Sequence, residues 1–128
     1  MRKVLILASL LSMSALGQPA PARQFIYRIE PVRKEFNLQK LTEAEVPIVT
    51  AHVAYLKSLL EQGQLVMAGQ AFDPAGFWGI VIINAQDLDA ATAIFKADPA
   101  VKSDLFHGSI VPFRIVLARQ SDASPANR

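Results

Sequence analysis

Phe77-Trp-Gly-Ile-Val-Ile-Ile83 is the stretch on which the fold turns. Its aromatic and β-branched residues favour an extended chain. Side chains alternate along a strand, so Phe77, Val81 and Ile83 point one way while Trp78, Ile80 and Ile82 point the other. Both sets are apolar. A sheet with one wet face would alternate apolar with polar, so this strand calls for cover on both faces. Upstream, Asp73-Pro-Ala-Gly76 carries turn chemistry, and Gln64-Leu-Val-Met-Ala-Gly69 reads as the preceding strand.

Working outward, Gln24 to Ile29 reads as a first strand and Ile110 to Ala118 as a last one. Pro31 to Lys40 is polar and basic and reads as a loop. Thr42-x-x-Glu45 has capping-box spacing, which predicts a helix from near Glu43, with Pro47 in its opening turn. Ile48, His52, Tyr55, Leu56, Leu59 and Leu60 then form one stripe, and Gly63 stands where a helix ends. Asp87 to Ala97 is a second helix with Leu88, Ala91, Ile94 and Phe95 inward. Asp98-Pro99 breaks it and opens a short helical turn through Ser103. The order β-α-β-β-α-β predicts an α+β, ferredoxin-like domain with a four-stranded antiparallel sheet. Two helices cover one face of such a sheet, so the other apolar face predicts a homodimer.

The chain has 128 residues, 52% of them hydrophobic, which suits a single domain with a real core. Its formal charge of +2 comes from Arg2 and Lys3. These residues open an export signal: a basic start, an apolar run from Val4 to Leu16, then Ala20-Pro-Ala22 in the arrangement that signal peptidase reads. Ala15-Leu16-Gly17 offers a second cut. The run is shorter than the ~20 residues a membrane span needs, so no membrane anchor is expected after cleavage. Cleavage after Ala22 leaves equal numbers of bases and acids, and a nucleic-acid partner is not expected. The absence of cysteine excludes a lipid-modified cysteine and disulfides. The expected division is a signal peptide over 1–22, a domain over 23–118 and a flexible tail over 119–128, with the protein periplasmic or secreted.

His52-x-x-Tyr55-Leu56-Lys57, Gly63-Gln-Leu-Val-Met-Ala-Gly69, Gly79-Ile-Val, Asp98-Pro99-Ala-Val and Pro112-Phe113, taken in this order, resemble the YCII-related family over roughly Phe25 to Leu117. The resemblance implies a dimeric α+β barrel of two facing ferredoxin-like sheets, and a pocket holding a His and an Asp at the positions of His52 and Asp98. Two departures stand out. Gly69 is followed by Gln70 where many members have Gly-Pro, which puts the pocket rim in question, and the export signal is absent from the many members that look cytoplasmic.

His52 reads either as a core histidine bonded to Tyr55 or a carbonyl, or as a general base oriented by a carboxylate. Asp98 reads either as a helix cap or as that carboxylate. The Tyr55 hydroxyl would satisfy His52 or assist a substrate. Phe77 and Trp78 read as packing or as pocket wall, Arg28 and Arg114 as anion ligands or edge ion pairs. His107 is the only other histidine, and two histidines without cysteine give no metal-ligand spacing. There is no phosphate loop, nucleophile elbow or dinucleotide fingerprint, so neither cofactor nor metal is expected. Two functions fit: a cofactor-independent lyase or isomerase moving a proton through catalytic residues His52, Asp98 and Tyr55 on a small molecule, or a non-catalytic binding or accessory dimer.

Overall fold

Thr42 and Glu45 bind each other reciprocally at the start of the first helix. The Thr42 N–H donates to Glu45 Oε2 at 2.8 Å and the Glu45 N–H to Thr42 Oγ1 at 3.3 Å, as a capping box requires. Regular helix begins only at Glu45, because the residues between form a turn. Arg33 closes the same knot with a two-pronged bond to the Glu45 carboxylate, at 2.9 and 3.0 Å. The Thr42 N–H first, and Arg33 after it, hold Glu45 below the usual carboxylate range.

The protein is seen in a computed structural model that describes residues 22–119. In chain order the elements are β1 (Arg23–Pro31), α1 (Glu45–Glu61), β2 (Leu65–Asp73), β3 (Gly76–Ala85), α2 (Leu88–Ala97), α3 (Pro99–Lys102) and β4 (Phe106–Phe113). The strands form one antiparallel sheet in the order β2-β3-β1-β4, the ferredoxin-like arrangement. The expected signal peptide and C-terminal tail lie outside the described residues, save Ala22 and Arg119. No described helix is long and apolar enough to cross a membrane.

Helix ends follow local rules closely. Gly63 adopts φ +72° after α1, and the Gln64 and Gly63 N–H groups return to the Leu59 and Leu60 carbonyls, a Schellman end. Asp87 caps α2 by accepting from the Ala90 N–H at 2.8 Å. Asp98 caps α3, with Pro99 in the first turn.

Phe25, Tyr27 and Ile29 of β1 and Val81 and Ile83 of β3 face the helices and are buried with Ala91, Phe95 and Phe106. Strand pairing puts Ile26, Ile80, Ile82, Met67 and Val111 together on the opposite face, where Met67 and Val111 are exposed, Ile26 and Ile80 half-buried and Ile82 buried among its neighbours.

Four expectations need correction. The last strand is Phe106–Phe113, not Ile110 to Ala118, because its pairing with β1 ends with Phe113 opposite Gln24. Arg114 therefore lies beyond the sheet and makes no ion pair among the described residues, while the Ile115 N–H goes to Gln24 Oε1 at 3.0 Å. Leu60 and Leu88 are exposed, since each sits at the rim of its helix's apolar stripe. The segment between β1 and α1 is more than a polar loop: Phe36 is buried and packs edge-on to Phe106, with ring centroids 5.2 Å apart.

Candidate active site

Glu45, His52 and Leu59 are the buried side chains of α1, and their spacing of two turns lines them up on one face. The face points at the start of α3, where Asp98 is 0% exposed. His52 Nδ1 lies 2.7 Å from Asp98 Oδ1 and 2.9 Å from Oδ2. Oδ1 also accepts from the Ala100 N–H at 3.0 Å, and Oδ2 from the Tyr27 hydroxyl at 3.2 Å. Three segments distant in sequence thus meet at one carboxylate.

An ionised carboxylate only accepts hydrogen bonds, so the proton between His52 and Asp98 sits on Nδ1. In the neutral imidazole Nε2 then carries the free lone pair. His52 also lines a cavity of about 440 Å³ between α1 and the sheet. The walls are the rings of Phe72, Phe77 and Phe106 with Leu38, Val49 and Leu56. Phe106 stands edge-on to the imidazole at 5.8 Å. On the floor, Gly79 leaves room that no larger residue would: a Cβ there would meet Ile29 Cγ1 at 3.3 Å and the Gly69 carbonyl at 3.4 Å.

The two readings of Asp98 prove to be one arrangement, since the same carboxylate caps α3 and orients His52. Tyr55 is placed otherwise than expected. Its hydroxyl donates to the Ile94 carbonyl at 2.8 Å, tying α1 to α2, and it neither bonds His52 nor lines the cavity. The hydroxyl at the dyad belongs to Tyr27. Burial first, then the Asp98 charge, push the Tyr27 phenol far above its ordinary value; the same two causes raise Tyr55 less. Alternation along β1 put Tyr27 on the inward face, but nothing local tied it to a residue 71 positions away.

The remaining candidates separate by face. Phe77 lines the cavity. Trp78 lies on the opposite face beneath Arg28, whose guanidinium is 4.7 Å from the indole centroid and bonded to Glu30 at 2.7 Å. His107 is exposed on that face too, opposite Glu30. Among the described residues no three His, Cys, Asp or Glu side chains cluster as metal ligands.

The YCII-related domain family matches residues 28–114, most of the chain. The chain belongs to the YCII-related domain family. Protein YciI of Escherichia coli O6:H1 (strain CFT073) is 37% identical over 83 residues, covering 58% of this chain and 85% of that protein. Protein YciI of Shigella flexneri matches to the same extent. Among solved structures, 5-chloro-2-hydroxyhydroquinone dehydrochlorinase (TftG) from Burkholderia phenoliruptrix AC1100, in complex with 2,5-dihydroxybenzoquinone, shares the fold. Its TM-score is 0.55 at 18% identity, covering 71% of this chain and 93% of that one. This YCII-related chain therefore carries its His–Asp pair beside a cavity on a ferredoxin-like sheet.

Proposed function

We propose that the YCII-related domain binds a small ring-shaped molecule in the cavity and that His52 Nε2 moves a proton on it, with Asp98 holding the imidazole. The observation that carries this reading is the fully buried Asp98 carboxylate on Nδ1 of a histidine that also lines the cavity, so that Nε2 is the nitrogen left for a ligand. Asp98 also offsets the charge of the imidazolium formed on proton uptake. The aromatic walls suit a planar ligand.

The dehydrochlorinase activity of the structural neighbour supports a lyase-type step. On a chlorinated hydroquinone the balance is simple. The imidazole carries a proton from a ring hydroxyl to the chlorine-bearing ring carbon. The carbon–chlorine bond then breaks with its electron pair on chloride, the second hydroxyl proton leaves, and the quinone forms with net loss of HCl. Neither oxidant nor metal enters that balance.

The second reading, a binding or accessory module, rests on Asp98 also being a satisfied cap with a Tyr27 partner. Nitrogen-15 NMR of the imidazole tests the first. The expected spectrum has Nδ1 protonated and Nε2 bare, and adding hydroquinone shifts Nε2 most. An Nε2 signal indifferent to hydroquinone, catechol and resorcinol would remove the cavity from the reading.

The sheet face away from the helices, with exposed Met67 and Val111 beside Ile26 and Ile80, supports a homodimer with sheets face to face. The signal-like residues 1–22 support export. Both are tested on protein recovered from the periplasm of an expressing cell. The N-terminus is expected at Arg23 and the sedimented mass at twice the chain's. A full-length cytoplasmic monomer would overturn both.

A further inference from the structure

We infer that Gln70 is the specificity-determining residue of the cavity and that it reads a second oxygen on a neutral ligand. This rests on the cavity reading above and adds to it the ligand's polar pattern.

Gln70 pairs with Gly79 across β2 and β3, so its side chain leaves the sheet on the face that carries the cavity. Gly79 has no side chain to compete for that space. β2 is an edge strand, Gln70 is exposed at the rim, and its amide bonds no described residue. Among the described residues lining the cavity, only the side chains of His52 and Gln70 carry polar atoms. Among the described residues no Lys or Arg side chain lines the cavity, so a carboxylate or phosphate ligand would find a counter-charge there only in a protonated His52.

The two polar groups differ in what they accept. His52 Nε2 takes a proton from a donor, which calls for a hydroxyl. The Gln70 amide both donates and accepts, so it serves a hydroxyl or a carbonyl equally. That suits a reaction in which a ring hydroxyl becomes a carbonyl, because the amide can keep its bond to the oxygen throughout. The substrate class is thus a neutral ring bearing two separated oxygens, one for His52 and one for Gln70.

The test compares phenol with catechol, resorcinol and hydroquinone on the full chain, followed through the His52 ring and the Gln70 side-chain amide signals. One dihydroxybenzene is expected to bind about 2–10-fold tighter than phenol, the worth of one neutral hydrogen bond, and to shift the Gln70 amide. In Gln70→Leu the preference is expected to vanish while the His52 shift persists. A preference that survives in Gln70→Leu, or an amide unmoved in the native chain while His52 responds, overturns the Gln70 assignment and leaves the cavity reading intact. No response from His52 to any probe overturns both.

Discussion

His52→Gln is expected to lower turnover by about 10²–10⁴-fold, the usual contribution of a positioned acid–base group. The glutamine amide can still donate to Asp98, so the carboxylate keeps a partner and the fold survives. What disappears is the basic nitrogen left for a ligand, since an amide carbonyl is far too weak a base to accept a proton. Ligand affinity should change only a few-fold, because the walls and Gln70 are untouched. Chloride release from a chlorinated hydroquinone, measured beside binding of hydroquinone, separates the two effects. Equal release by the native chain and the variant would place His52 outside the chemistry. A native chain that binds but releases no chloride would move the protein to the binding class.

Asp98→Ala is expected to be the most damaging single change to stability, at about 3–5 kcal/mol. It strands three donors at once: the His52 Nδ1–H, the Tyr27 hydroxyl and the Ala100 N–H. A buried donor left unpaired costs roughly 1–3 kcal/mol, and the three losses overlap because they share one partner. Domains of this size have about 5–15 kcal/mol in total, so much of the margin would go, with a melting point lower by roughly 15–30 °C. Asp98→Asn should cost less, about 1–3 kcal/mol, because its carbonyl can still take one donor while its NH2 group turns toward the Tyr27 oxygen. Urea unfolding of the three proteins gives the comparison directly. A loss below about 1 kcal/mol in the alanine variant would mean that the donors find other partners and that the carboxylate is not structural.

Asp98 shows how much of the site was legible. Asp before Pro is a cap by local rules, and that is how α3 begins. Its second role needed the docking of α1 against α3, and only the resemblance to the YCII-related family pointed there beforehand. Tyr55 shows the opposite case. Its place one turn from His52 suggested a shared site, yet the hydroxyl turns to the Ile94 carbonyl on α2. Neighbours on a helix share a face without sharing partners, and the partner is set by what packs alongside.

Local chemistry accounted for the alternation of Phe77 to Ile83, the turn at Asp73 to Gly76, the Schellman end at Gly63 and the order of strands and helices. Each depends on backbone sterics and on side chains a few residues apart, which a linear reading contains. Tertiary structure alone brought Tyr27 to Asp98, Phe36 and Leu38 to the core and cavity, and Gln70 to a place opposite Gly79. Those meetings depend on which strands pair and how helices lie across them. That arrangement is chosen by burying apolar surface over the whole domain, so no short window of the chain contains it.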